Sequence, residues 1–149
     1  MSGTTLRGSC HCANLSLEIG LSRPPHSYQP RACDCDFCRQ HAASYLSDAA
    51  GSLRIKVRDP AALGRYRQGS GTAEFLFCRG CGVLIGVVYE EAGRTYAALN
   101  SRVVEGAPAF GETLAASPKT LPIGERVQRW KQLWFADVQL LAEAPGARP

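Results

Sequence analysis

The sequence predicts a mainly β fold organised around bound metal. Three observations predict it. Apolar and polar residues alternate through several short segments, tight turns separate those segments, and seven cysteines fall into three clusters at metal-ligand spacing.

Taken along the chain, Leu15, Leu17 and Ile19 alternate with polar neighbours, which is the pattern of a half-buried strand. Leu53, Ile55 and Val57 alternate with Arg54, Lys56 and Arg58, predicting a strand with one apolar and one basic face. Residues 72–77 and 83–89 flank the loop between Cys78 and Cys81 and read as a hairpin over a metal knuckle. Residues 94–99 follow the turn Glu90-Glu91-Ala92-Gly93 as the next strand, and residues 135–141 are placed to close a sheet. Two stretches read as helix. Residues 36–44 form a short one, with Asp34 or Asp36 as the candidate N-cap. Residues 125–134 put Val127, Trp130, Leu133 and Trp134 on one face. Pro24, Pro25, Pro60, Pro108, Pro118 and Pro122 punctuate loops, and the small-residue tail 144–149 is expected to fray.

A length of 149 residues suits one domain over 1–149. No apolar run approaches the roughly 20 residues of a membrane helix, and the first residues lack the apolar stretch of a signal peptide. The expected compartment is therefore the cytoplasm, where thiols stay reduced and seven cysteines point to metal or catalysis rather than disulfides. A net charge of +4 is too small to name a nucleic-acid partner. Its arginine-rich source favours anionic small molecules, because a guanidinium holds a carboxylate through two hydrogen bonds.

The cysteine clusters are Cys10-x-Cys12, Cys33-x-Cys35-x-x-Cys38 and Cys78-x-x-Cys81-Gly82. A zinc site takes four ligands when structural and about three when it keeps a working position, and seven divides into four and three. Spacing allows two partitions. One joins Cys10 and Cys12 to Cys78 and Cys81 and leaves Cys33, Cys35 and Cys38 as an open triad. The other joins Cys35 and Cys38 to Cys78 and Cys81 and orphans three thiols. The first is preferred because it employs every cysteine.

Gly8-Ser9-Cys10-His11-Cys12, Cys33-Asp34-Cys35-Asp36-Phe37-Cys38-Arg39, Phe77-Cys78-Arg79-Gly80-Cys81-Gly82 and Leu99-Asn100-Ser101-Arg102 follow one another in this order. Together they resemble the glutathione-dependent formaldehyde-activating enzyme family, which includes centromere protein V. The resemblance implies a β-tent fold of small antiparallel sheets leaning over zinc. It implies a structural Zn2+ on Cys10, Cys12, Cys78 and Cys81, and a second, open Zn2+ site on the catalytic Cys33, Cys35 and Cys38; that second site closes only a short loop and is expected to be labile and partly filled. It also implies a carbon–sulfur lyase that joins a small thiol, glutathione, to formaldehyde. The chain departs from the family pattern at Ala13, where glycine is usual, at Asp36, where serine is common, and at Val83, where a small hydroxyl residue often stands.

Glutathione carries two carboxylates, so cations are expected beside the triad. Arg39, next to Cys38, and Arg102 are the candidate substrate contacts. His11 and His41 are candidates for a fourth ligand or a proton shuttle, and Tyr45, Tyr66, Tyr89 and Tyr96 for acids. The competing class is a non-catalytic binding module for nucleic acid or protein, using Arg54, Lys56, Arg58, Arg65 and Arg67. The absence of interleaved aromatics along the strand face of Arg54, Lys56 and Arg58 argues against base stacking. A redox switch at the triad is the third reading.

Overall fold

A computed structural model describes residues 3–106 and 109–142. Pro108 and the tail 144–149 lie outside the described residues. The elements are β1 (Thr4–Ser9), β2 (Leu15–Leu21), β3 (Arg31–Cys33), α1 (Asp36–Gln40), β4 (Tyr45–Leu46), β5 (Ser52–Val57), β6 (Leu63–Tyr66), β7 (Glu74–Cys78), β8 (Leu84–Glu91), β9 (Arg94–Asn100), β10 (Leu114–Ala116), α2 (Ile123–Leu133) and β11 (Asp137–Ala142). They make a mainly β fold of two sheets, in the orders β1-β2-β5-β11 and β10-β3-β4-β9-β8-β7-β6. Most neighbours are antiparallel, but β11 joins β5 and β10 joins β3 in parallel.

The small sheet obeys the predicted alternation. Leu15, Leu17, Ile19 and Leu21 of β2 and Leu53, Ile55 and Val57 of β5 are all buried on one face. Each such side chain contributes about 1.5–3 kcal/mol when removed from water. On the other face, Arg54 pairs with Asp137 at 3.0 Å and Lys56 with Glu18 at 3.6 Å. The basic face is thus crossed by acidic partners from the neighbouring strands.

The large sheet is buried on both faces, and its central strands alternate side chains between them, except in β8, where a register shift against β7 at Leu76/Phe77 breaks the alternation. Ile85 and Val88 of β8, Ala97 and Leu99 of β9, Leu46 of β4 and Leu76 of β7 face the small sheet. Leu84 and Val87, Tyr96 and Ala98, Tyr45 and Phe75 face the opposite way, onto Trp130 of α2 and Trp134 just beyond it. This explains why Leu84-Ile85-Gly86-Val87-Val88 reads as a continuous apolar run rather than an alternating one. Gly86 has no room for a side chain: a Cβ there would approach the Ala98 carbonyl oxygen to 2.4 Å. The β8–β9 hairpin closes through Ala92 and Gly93, both at positive φ, as a two-residue turn of the kind that matches strand twist.

The expected strands at 72–77, 83–89, 94–99 and 135–141 correspond to β7, β8, β9 and β11, and the second helix to α2. The first helix differs from expectation. It ends at Gln40 because Ala42 turns to φ +51, and its N-cap is Cys35, whose Sγ accepts from the Cys38 N–H, rather than Asp34 or Asp36. Strands β1, β3, β4, β6 and β10 carry too few alternating apolar residues to stand out in the sequence.

Candidate metal centres and the cavity beside them

The two faces of the large sheet each carry one cysteine cluster. On the face toward the small sheet, β1 leads into the loop holding Cys10 and Cys12, and β7 delivers Cys78 and then Cys81. The four sulfurs lie within 4.8 Å of one another. The Cys10–Cys12 separation is 3.8 Å and the Cys12–Cys78 separation 3.6 Å. Zinc–sulfur bonds of about 2.3 Å in a tetrahedron put sulfurs about 3.8 Å apart, so the donor set fits zinc without rearrangement. Gly82, at φ +82, turns the knuckle so that its N–H reaches the Cys78 carbonyl at 2.7 Å. The Leu15 N–H points at Cys10 Sγ at 3.3 Å, a backbone donor that offsets thiolate charge.

Burial pushes the Cys10 thiol up and the Cys78 thiol to about 12. At Cys81 burial also works upward, but the backbone N–H groups of Val83 and Cys12 and the Cys78 and Cys10 thiols bring it down to about 6. Four thiols packed this closely cannot all ionise without a cation among them, which is what a metal supplies.

On the opposite face, β3 ends at Cys33 and α1 opens with Cys35 at its N-cap and Cys38 in its first turn. These three sulfurs also lie within 4.8 Å of one another. The grouping of ligand atoms is therefore the four-and-three partition. No histidine joins either group among the described residues. His11 and His41 are exposed, and the His41 ring lies tilted against Phe37 with centroids 4.6 Å apart.

The hydrogen bond from Cys38 holds the Cys33 thiol down at about 6, and the same contact, with burial, pushes Cys38 up. The Tyr45 hydroxyl stands 3.1 Å from Cys38 Sγ, and burial followed by the facing thiols pushes its pKa up, so it stays protonated. The Gln68 amide points at Cys35 Sγ from 3.8 Å. Asp34, between the first two triad cysteines, is tied to the next segment. Its N–H donates to the Ala116 carbonyl at 3.0 Å and Ser117 Oγ donates to its carboxylate at 2.5 Å.

All three triad cysteines line a cavity of about 660 Å³, and none of the other four does. Its walls are Tyr45, Phe75 and Val87 of the large sheet, the segment 114–121, and Trp130, Leu133 and Trp134. Three arginines are among its lining residues: Arg31, Arg126 and Arg129. Arg31 donates to Ser47 Oγ at 2.6 Å, while burial and then the charge of Arg129 lower its pKa. Arg126 caps the carbonyls of Pro118, Lys119 and Leu121, fixing that segment against α2.

The expected substrate contacts stand elsewhere. Arg39 is exposed and pairs with Asp36 at 2.7 Å, because helical spacing turns it away from the Cys38 side chain. Arg102 is exposed on the turn after β9, and neither arginine lines the cavity. Sequence reasoning passed over Arg31 and the arginines of α2. The signal was there: Arg31 and Cys33 sit two apart on β3, on one face, and Arg126, Arg129, Trp130 and Leu133 follow helical spacing. Of the tyrosine candidates, Tyr45 alone touches the triad among the described residues.

The sequence pattern of the family described as "Glutathione-dependent formaldehyde-activating enzyme" matches residues 5–115. No match is found among curated proteins. Among solved structures, the crystal structure of a Rhodobacter sphaeroides protein from a structural genomics programme is similar. It is 28% identical over 74% of this chain and 100% of that one, with a TM-score of 0.58. With a match over residues 5–115 that takes in all seven cysteines, the chain belongs to the glutathione-dependent formaldehyde-activating enzyme family.

Proposed function

We propose that the chain is a single zinc-binding domain of the cytoplasm that acts as a carbon–sulfur lyase on thiol–aldehyde adducts, with glutathione and formaldehyde as the reference pair. One observation carries this reading: the three-cysteine cluster opens onto the cavity, whereas the four-cysteine cluster does not. Cys10, Cys12, Cys78 and Cys81 would hold a structural zinc, and Cys33, Cys35 and Cys38 a second one. A zinc held by three thiolates keeps a fourth position and lowers the pKa of a thiol bound there.

The remaining work falls to side chains of this protein. Tyr45 holds Cys38 by its hydroxyl, and Gln68 steadies Cys35. Arg31 and Arg129 supply positive charge for the carboxylates of the thiol, replacing Arg39 and Arg102 in that role. Phe75, Val87 and Trp130 keep water from the reacting sulfur. The reaction adds the thiol across the carbonyl. A carbon–sulfur bond forms, the carbonyl π bond opens, and the thiol proton ends on the former carbonyl oxygen, with no oxidant or reductant required.

The binding-module reading loses its support at the basic strand face. Arg54 and Lys56 are paired with Asp137 and Glu18, and Arg65 and Arg67 with Glu74. Exchange spectroscopy at equilibrium tests the proposal. Zinc-loaded protein should speed the interconversion of glutathione and formaldehyde with their adduct above the rate in buffer, and Cys38→Ser should not. Identical rates for the two proteins and buffer would exclude this substrate pair.

A further inference from the structure

The family match ends at residue 115, yet much of the cavity wall comes after it. Ala116 to Leu121, Arg126, Arg129, Trp130, Leu133 and Trp134 all line the space above the triad. This wall is fastened directly to the triad strand. β10 runs parallel to β3 with Ala116 opposite Cys33, and Asp34 is held by Ala116 and Ser117. The site is therefore shaped in part by a segment that lies beyond the family match.

The wall has two chemically distinct parts. One is apolar: Trp130 and Trp134 stack at 4.8 Å, and with Leu133, Phe75 and Val87 they form the cluster in which Cys38 is buried. The other is cationic. Arg31 and Arg129 line the same cavity, and among the described residues no carboxylate lies within ion-pair distance of either. Two like charges brought together without a counter-charge favour an anion between them. The one-carbon adduct of formaldehyde adds only a hydroxymethyl group to sulfur, which offers the apolar part nothing to cover.

We infer that the cavity takes thiol adducts with a carboxylate on the thiol side and a bulky apolar group on the aldehyde side, selected by the cationic part of the wall, Arg31 and Arg129, and by its apolar part, Trp130, Leu133 and Trp134. This rests on the reading of the triad as the thiol site and narrows its substrates to adducts of aldehydes larger than formaldehyde. Residues 116–134 are the specificity element.

The chain's only two tryptophans, Trp130 and Trp134, both line the cavity, so their fluorescence reports its occupancy. Zinc-loaded protein is titrated with S-methylglutathione and S-hexylglutathione, stable thioethers that need no turnover. The hexyl compound should bind at least about tenfold tighter, since each buried methylene adds to affinity. Arg129→Gln, an exposed helical position, should weaken both compounds about fivefold or more and flatten their salt dependence. Leu133→Asn should reduce the hexyl advantage. Equal affinity for the two compounds in wild-type protein, or unchanged affinity in Arg129→Gln, would overturn the inference. Because binding is read without catalysis, the outcomes separate. A hexyl preference with no formaldehyde exchange removes glutathione with formaldehyde as the substrate pair and keeps the ligand class. Formaldehyde exchange with no chain-length preference does the reverse.

Discussion

Replacing one cysteine in each cluster by serine should give very different losses of stability. Cys12 and Cys78 are 66 residues apart, so a metal on the four-cysteine cluster closes a long loop, whereas Cys33 to Cys38 spans five. Loop-closure entropy scales as 1.5 RT ln n, which makes the longer closure worth about 2.3 kcal/mol more. The binding energy of a structural zinc, on the order of 10 kcal/mol, is comparable with the whole stability of a domain. Cys81→Ser should therefore remove most of the folding free energy and yield poorly folded protein. Cys35→Ser is the matched control, because serine is itself a good N-cap and can accept from the Cys38 N–H where Cys35 Sγ now does. Its cost should stay within about 2 kcal/mol, or roughly 4–8 °C in Tm for a chain of this size. The assay is thermal unfolding with zinc determined on the same samples. A Cys81→Ser protein that is zinc-replete and melts like wild type, or a Cys35→Ser protein that loses as much as Cys81→Ser, would refute the assignment of the two sites.

Two further changes probe the frame around these sites. Ala13, at φ +66 beside the first cysteine pair, occupies a conformation that costs a side-chain-bearing residue about 1 kcal/mol; Ala13→Gly should stabilise by about 0.5 kcal/mol after the added unfolded-state entropy, and a loss of that size in chemical denaturation would contradict it. Asp48 accepts from the Ser22 N–H and hydroxyl and from the Tyr28 hydroxyl on one oxygen, and from the Ala50 N–H on the other. Although burial pushes its pKa up, these donors hold it below the ordinary 3.8, so its contribution is present above that pH and is lost as the solution is acidified below it. Asp48→Asn should cost about 1–3 kcal/mol at neutral pH and make stability fall less steeply from about pH 5 to pH 2; an acid limb as steep as wild type's would show that Asp48 does not titrate with unfolding.

The parts of the fold legible in the sequence are those where one face is buried and the other wet. β2 and β5 announce themselves through Leu15, Leu17, Ile19 and Leu53, Ile55, Val57 because their polar residues alternate cleanly. β3 and β4 are three and two residues long, too short to show a period, and they are strands because β9 and β10 pair with them. The ligand clusters were legible because thiols at these spacings serve few other purposes. The arginines that line the cavity were not. Nearness in sequence favoured Arg39, but a helix of five residues turns it toward Asp36, while Arg31 and Arg129 meet only through the parallel pairing of β10 with β3 and the docking of α2.

Placing the two clusters on opposite faces of one sheet has a consequence for how the chain can vary. The four-cysteine cluster sits with the core between the sheets, so changes near it act on folding. The triad sits in the second apolar cluster, whose outer wall is α2 and the segment leading to it. That wall touches the triad strand through β10 and a few polar contacts at Asp34, and otherwise packs by apolar surface, which tolerates substitution when volume is kept. The lining of the cavity can therefore change through residues 116–134 without disturbing either set of thiols. A chain can keep both cysteine clusters intact and still differ from its relatives in what lines the space above the triad, here the stacked tryptophans with Arg31 and Arg129, which have no carboxylate partner among the described residues.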